Sequence, residues 1–553
     1  MRIPWLLHRS ILGDLLRTTI LVTTVLVTVI AFGAAVRPLA QNLLGPADLP
    51  RFLLLACVPM LQYALPFAAA FATVSVYHRM SVDREVQAME AAGFPMRRII
   101  VPALALGGVL LVAMLALVHF AAPRFWMSMQ DLLARDAARL LAAAVEQGEG
   151  IRVGELEIYA DEALVSPDPP DTGARERLVL AGVAALELGG ADGMPRTEFT
   201  AEHAVIDVHQ GEAGAILKLV LINATVRRET EQAVAVLPQA RPEAIDLGRS
   251  RAGDPKGLVF MDLLRARQEP EAFRPMREAA EPLNSALTRL ETWECLDRAL
   301  AEMKPLEFES SGSGRSIVVG EARRSGGSLL PSARDQRIVL EERSGDRVLR
   351  RAEVDRATLR LDEDPREGSS FLLEVPPGTE AQEFVGGSPR RGRWPQRIGG
   401  LHPIGCEPAA APGTVPSLLD HGRSIAAQIE GSGDSVKEET GRAIVAAANS
   451  LERAHERFQL DVVARQNQRA AQALAGLLLP LLAALVAVRS KASVSLGVFV
   501  IVFLPAIADM LLVSSGEQMT RWDRPEAGLA TIWGAQAGIL LAIAIAWWSA
   551  TRR

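Results

Sequence analysis

Apolar residues along the chain gather into a few long runs without charge, separated by polar stretches of different character. Residues 18–36 run for 19 positions without a charged side chain. At about 1.5 Å per residue such a helix spans roughly 28 Å, the thickness of a bilayer's hydrocarbon core. Comparable runs follow at 52–77 and 99–122, and then at 470–488, 494–513 and 527–548. The pattern predicts six membrane helices, three before and three after a long polar stretch. The first run reads as a retained helix and not a cleaved signal peptide, because two further spans follow closely.

Basic residues near helix ends set orientation. Arg2, Arg9, Arg17, Arg79, Arg84, Arg97, Arg98, Arg489, Lys491, Arg552 and Arg553 fall on one side, against Arg37, Arg51, Arg521 and Arg524 in the loops opposite. Both termini are therefore expected in the cytoplasm, and the stretch 123–469 outside, which in a double-membrane bacterium means the periplasm. Within it, period-two alternation predicts strands at Leu156, Ile158 and Ala160, at Ala204, Ile206 and Val208, and at Leu217, Leu219 and Leu221. A second alternating set covers Ala357, Leu359 and Leu361 and then Phe371, Leu373 and Val375. Helical connectors are predicted over 261–303 and 417–469. The Pro- and Gly-rich segment 376–416 reads as irregular chain.

Composition narrows the chemistry. The chain has 553 residues, of which 49% are hydrophobic and 22% charged, with a net charge of -6. That leaves no global basic field for nucleic acid. The three cysteines, Cys57, Cys295 and Cys406, are too scattered for a zinc site, and no metal or cofactor is expected. Whether Cys295 and Cys406 pair stays open. A phosphate-binding P-loop needs a Lys directly after Gly, yet Lys218, Lys256, Lys304, Lys437 and Lys491 follow Leu, Pro, Met, Val and Ser. Neither H-E-x-x-H nor G-x-S-x-G occurs. The chain is thus not expected to be an enzyme, and any ATP hydrolysis must come from a partner.

The turn between the second and third runs carries helix signals. Ser81 can cap, Asp83 and Glu85 suit a first turn, Gly93 supplies a stop and Pro95 prevents continuation. A helix is predicted over 82–92, with Val82, Val86 and Met89 as an apolar stripe and Glu85 and Glu90 among the polar residues. By itself the segment suits either a plug for a cytoplasmic partner or a connector resting on the membrane surface.

Pro59, Pro66, the stretch HRMSVDREVQAMEAAGFPMRRI over 78–99, FTAEHAVIDV over 199–208, and Gly516 with Trp533 together resemble the LptF/LptG permease family of lipopolysaccharide export. The resemblance covers about 1–265 and 456–550. It implies a membrane α-helical protein with six spans in a 3+3 arrangement and a periplasmic β-jellyroll-like domain between spans three and four. It also implies a coupling helix in which Glu85 and Gly93 match the family's acidic and glycine positions. The expected organisation is spans one to three over 1–122, the jellyroll-like region over 123–255, helical connectors and an inserted second β-region over 256–469, and spans four to six over 470–553. The insertion at 300–455 departs from the family; enlargement of the jellyroll, contact with a periplasmic partner and a tolerated surface addition all stay open, with partner contact favoured.

The implied function is the permease subunit of an ABC transporter. It would extract lipopolysaccharide laterally, beside spans one and five, and pass it through the jellyroll to a periplasmic bridge protein. The implied partners are a cytoplasmic ATPase dimer, a second LptF/LptG-like permease and lipopolysaccharide itself. Val82, Glu85, Val86, Met89 and Gly93 are the expected ATPase-coupling residues. Ile206, Val208, Leu217 and Leu219 are candidates for lining the lipid path, although ordinary core packing explains them equally well. Arg37, and after it Arg51, are candidates for lipid phosphates, with snorkelling to ordinary headgroups as the alternative. Asp509 is the only carboxylate inside a predicted span and reads either as facing a cavity or as reaching the interface. Two other classes compete: a non-transporting scaffold moved by a partner ATPase, and a membrane-bound hydrolase, for which no nucleophile and base are found.

Overall fold

The computed structural model describes residues 5–40, 49–135, 151–153, 156–167, 176–189, 194–211, 214–228, 233–240, 245–246, 255–310, 314–333, 336–345, 347–364, 368–385, 388–406, 413–429, 435–489, 495–522 and 524–551. These form two compact units: Met1–Gln268 with Arg457–Arg553, and Glu269–Glu456.

The first unit holds the membrane helices. α1 (Trp5–Ala40) and α2 (Leu49–Val82) precede two short helices, α3 (Glu85–Ala91) and α4 (Met96–Ile99). α5 (Val101–Ala116) continues through a π-turn at Leu117–Ala121 into α6 (Ala122–Arg135). The widening has a local cause: Pro123 lacks an N–H, so an α-helical partner for the preceding turn is missing. Among the described residues, six helices are long and apolar enough to cross a membrane: Trp5–Val36, Leu49–Val82, Val101–Ser128, Val436–Arg489, Gly497–Trp522 and Pro525–Ser549. The fourth of these is the most enclosed, and leucines and alanines of its last turns are buried against Val74, Tyr77, Leu106 and Leu110. The other spans leave Ile20, Val25, Val29 and Phe32, and Ile501, Leu504 and Leu511, exposed outward. That is the pattern of helices whose outer faces meet acyl chains instead of water.

A sheet follows the third span. Its eight strands are β1 (Ile151–Val153), β2 (Leu156–Tyr159), β3 (Glu162–Pro167), β4 (Glu176–Gly189), β5 (Met194–Gly211), β6 (Gly214–Arg228), β7 (Ala233–Ala240) and β8 (Ile245–Asp246). The order is β1-β2-β4-β5-β6-β7, with β3 also on β4 and β8 on β6, all antiparallel. Leu178, Leu180, Ala204, Ile206 and Leu221 are buried on it. The chain then enters α7 (Phe260–Gln268).

The second unit pairs helices with a second sheet. α8 (Arg274–Ala301), α9 (Val415–Ile429) and the start of α10 (Ser435–Arg489) share a core of Leu283, Leu287, Leu290, Leu418, Ile444 and Leu451. Eleven strands follow, β9 (Leu306–Ser310), β10 (Arg315–Val319), β11 (Ala322–Ser325), β12 (Ser328–Pro331), β13 (Ile338–Ser344), β14 (Arg347–Val354), β15 (Ala357–Asp364), β16 (Gly368–Glu374), β17 (Glu380–Val385), β18 (Ser388–Arg393) and β19 (Arg397–Pro403), ordered β11-β12-β15-β16-β19-β9-β10-β13-β14-β17-β18. Trp293 of α8 meets Phe371 edge-on at 5.1 Å between ring centres, and Phe308 packs beside it. Cys295 and Cys406 form a disulfide, which settles the pairing the sequence left open.

One expectation is overturned. Segment 376–416, read as irregular, contributes β17 (Glu380–Val385), β18 (Ser388–Arg393) and β19, with Trp394 and Leu401 buried. Gly and Arg weaken the strand pattern here because β18 is an edge strand with little to bury, and the ladder with β17 supplies its order.

Candidate functional site

The turn that follows α2 is built from short-range hydrogen bonds and clamped to three spans. The predicted helix starts three residues later than expected. α2 continues to Val82, Arg84 takes the left-handed conformation (φ 59°), and α3 begins at Glu85, so Ser81 is not its cap. The other end matches the prediction. Gly93, at φ 85°, lets its N–H bond Glu90 and the N–H of Phe94 bond Met89, the Schellman arrangement that a glycine makes cheap. Val86 and Met89 are buried in the core of the spans beside Tyr77 and Ile99, whereas Val82 is 56% exposed. The expected three-residue stripe is therefore two residues that anchor the helix to its own chain, and Val82 stands apart from it. Glu85, Gln87, Ala88 and Glu90 face outward. Tyr77 Oη donates to the carbonyl of Ile99 (2.9 Å), His8 Nε2 to that of Arg98 (3.0 Å) and Ser81 Oγ to that of Val488 (3.5 Å). α3 thus presents Glu85 and Glu90 outward from a base anchored on the spans.

At the opposite end of the spans, where the chain runs into the first sheet, a polar cavity of about 280 Å3 opens. α10 supplies Arg465, Gln468, Arg469 and Gln472; α11 (Ser495–Trp522) supplies Ser514, Glu517 and Arg521; α2 supplies Pro59, Gln62 and Tyr63. The π-turn and the residues after it bring Val118, Ala122 and Trp126 to the wall, and Lys256 closes it. Arg465 meets Glu517 at 2.8 Å, and Arg521 meets Asp461 at 2.6 Å. Arg469 donates to the carbonyl oxygens of Leu258 (2.8 Å) and Lys256 (3.0 Å) and so pins the segment entering α7. Gln62, Tyr63, Gln468, Gln472 and Ser514 also line a smaller adjoining cavity of about 150 Å3 that contains Asp509.

Asp509 does not reach an interface. It is buried and accepts a 2.7 Å hydrogen bond from Gln536 Nε2 of α12 (Pro525–Thr551). Nor is it alone among carboxylates in a span, because α11 extends to Trp522 and includes the buried Glu517. The sequence reading missed Arg465, Arg469 and Glu517. Their signal was present in the i,i+4 spacing of 465 with 469 and of 517 with 521, but the uncharged-run criterion ended the spans short of them.

The other predicted residues are placed as follows. Register sets Ile206 of β5 opposite Leu219 of β6 and Val208 opposite Leu217, so all four are neighbours on one hairpin. Ile206 is buried, and the side chains of Val208, Leu217 and Leu219 lie outside what the structure describes. Arg37 sits in the last turns of α1 with its side chain likewise outside the description; Arg51 is exposed at the start of α2. Arg51 is not among the described residues that line the polar cavity. Trp533 donates from Nε1 to Asn467 Oδ1 at 2.9 Å, joining α12 to α10.

Among the described residues, no group of three or more His, Cys, Asp or Glu could hold a metal ion. No curated protein matches the chain. Residues 9–251, which take in the first three spans, the turn with α3 and the first sheet, match the family described as lipopolysaccharide export system permease LptF/LptG, a transport component, and this is the family that the sequence resembles.

Proposed function

We propose that the chain is the permease subunit of an ABC-type exporter that lifts lipopolysaccharide out of the inner membrane and hands it to a periplasmic bridge. The observation that carries this reading is the family match over residues 9–251 together with α3, an outward-facing acidic helix anchored on the spans. A lipid with several acyl chains carries dozens of methylenes, each costing about 0.8 kcal/mol to expose, so its passage needs apolar surface throughout. It also needs energy, and with no P-loop in the sequence that energy comes from a separate ATPase seated on α3.

In this reading both termini and α3 face the cytoplasm, and the two sheets face the periplasm. The Cys295–Cys406 disulfide supports that orientation for the second unit, because such bonds form and persist in oxidising compartments. Force applied at Glu85 reaches the spans through Val86, Met89 and the Tyr77–Ile99 bond. The first sheet would act as the jellyroll-like conduit, with Ile206, Val208, Leu217 and Leu219 along its path. A second permease would complete the lateral gate against the exposed apolar faces of α1 and α11. The second unit, the insertion, would meet a periplasmic partner.

Extraction in mild detergent followed by mass spectrometry tests the proposal. An ATPase, a second six-span subunit and a bound glycolipid are expected to accompany the chain. Recovery with periplasmic proteins alone and without glycolipid would favour a signalling scaffold instead.

A further inference from the structure

Asp509 stands inside the span α11 with less support than a buried carboxylate normally has. It is 6% exposed, and among the described residues its one hydrogen bond is the 2.7 Å contact between Oδ1 and Gln536 Nε2. No described Lys, Arg or His pairs with it, and Oδ2 receives no donor from a described residue. Gln536 is itself 1% exposed, and its Oε1 is a buried acceptor that no described residue serves. A carboxylate held inside a span is costly unless it is matched, and such groups mark ion and proton paths. Two bonded neighbours thus carry acceptor oxygens without donors, and what the site lacks is positive charge.

The arginines of the larger cavity next door do not supply it. Arg465 is matched by Glu517 at 2.8 Å and donates from Nη1 to Gln468 Oε1 at 2.8 Å, while Arg521 is matched by Asp461 at 2.6 Å. Neither arginine is among the described residues lining the cavity of about 150 Å3 to which Asp509 belongs. The remaining polar wall of that cavity is unserved as well. Gln62 and Tyr63 of α2, Gln472 of α10 and Ser514 of α11 line it, and none of their side chains hydrogen-bonds a described residue. Three spans therefore contribute amide, hydroxyl and phenol oxygens to a wall that holds one unmatched carboxylate.

We infer that this cavity binds a monovalent alkali cation, with the Asp509 carboxylate as its charged ligand and side-chain oxygens of Gln62, Gln472 and Ser514 in place of part of the hydration shell. Neutral oxygens replace hydration water in the same manner in potassium-selective pores. One carboxylate balances one positive charge and would leave a divalent ion half-compensated. Calcium and magnesium sites draw on several oxygens, commonly with more than one carboxylate, and no second carboxylate lines this cavity among the described residues. The volume is below the range that encloses a drug-sized ligand and above that of a single water, so it suits an ion with a few waters and not a lipid headgroup. Gln536 is not among the described lining residues; its role is to orient the carboxylate from α12. Such a site needs neither ATPase nor glycolipid, so it stands or falls independently of the export reading.

The test follows thermal unfolding of the full chain in detergent while sodium chloride or potassium chloride replaces N-methylglucamine chloride at constant ionic strength. Sodium or potassium should raise the unfolding temperature and then saturate, as a ligand of the folded state alone does. Two variants accompany the wild type. D509N removes the charge and keeps an oxygen for Gln536; Q472L removes one neutral oxygen and keeps most of the bulk. Relieved of an unmatched charge, D509N should unfold no earlier than the wild type in N-methylglucamine and should show no alkali response. In Q472L the apparent cation affinity should fall about tenfold. A carboxylate with a purely structural role gives the opposite result: D509N unfolds earlier in every salt and the alkali shift persists. That result overturns the inference, as do unfolding temperatures that are equal in all three salts or an alkali shift that both variants keep.

Discussion

The phenol of Tyr77, fully buried near the end of α2, donates its hydrogen to the carbonyl oxygen of Ile99, 22 residues further on. This bond closes the loop that carries α3, so the acidic helix is a rigid extension of the second and third spans. Tyr77→Phe keeps the ring and strands the carbonyl, a loss of about 1–3 kcal/mol. Faster amide exchange over 83–95, with the other spans unchanged, is the expected readout.

Glu85 faces outward on α3, while Val86 and Met89 hold the helix in place from the other side. Glu85→Lys should therefore leave folding and membrane insertion intact, and co-purification with the ATPase proposed above should drop at least tenfold. Met89→Asp should instead unseat α3 itself, which limited proteolysis in the turn would reveal. Undiminished ATPase association in Glu85→Lys would remove this residue from the coupling role.

Where α11 crosses α12, Gly516 leaves no room for a side chain. A Cβ there would lie 2.7 Å from the carbonyl oxygen of Gly528 and 3.0 Å from the backbone nitrogen of Ile532. Because both neighbours are backbone, Gly516→Val must push the helices apart at a cost of about 1–3 kcal/mol or more. A lower unfolding temperature is expected, with weakening of the Asp509–Gln536 bond further along the same helix pair.

The disulfide joins positions 111 residues apart, so most of the second unit lies inside the loop it closes. Removing it with Cys295→Ser and Cys406→Ser together should cost about 2–5 kcal/mol. Reductant should lower the unfolding temperature of the wild type and leave the double variant unaffected.

Asp297 of α8 provides a pH-dependent joint in the second unit. Burial pushes its carboxyl up, but Arg324 at 2.8 Å and Lys437 at 3.0 Å outweigh it and hold the group below its usual value. Arg324 also lies over the Trp293 ring, 5.0 Å from its centre. A lowered carboxyl favours folding fully above its unfolded-state pKa and loses that contribution as pH falls through the folded value. Thermal unfolding followed from neutral to strongly acidic pH should therefore show a loss that Asp297→Asn, already destabilised at neutral pH, no longer shows.

Much of this was legible along the chain. The six spans, the hairpins of β5 with β6 and of β15 (Ala357–Asp364) with β16 (Gly368–Glu374), and the Gly93 stop all follow from local rules. Apolar runs, alternation and a positive φ need no distant partner to be recognised. Segment 376–416 defeated the same rules because an edge strand takes its order from a neighbour, and its Gly and Arg residues advertise nothing by themselves. The start of α3 was misplaced because Ser81 is drawn into α2, whose continuation to Val82 is decided by packing on the spans.

By itself the sequence determined which segments leave water and most of those that lie in helices and strands, since transfer free energy and backbone periodicity act residue by residue, and its motifs over about 1–265 and 456–550 carried the family resemblance. The tertiary structure alone decided that Arg465, Arg469, Arg521 and Lys256 converge, because they come from three separate stretches of chain. It alone turned Val86 and Met89 inward and left Glu85 facing outward. Convergence and facing depend on how helices pack against one another, and that geometry is written in no single stretch of residues.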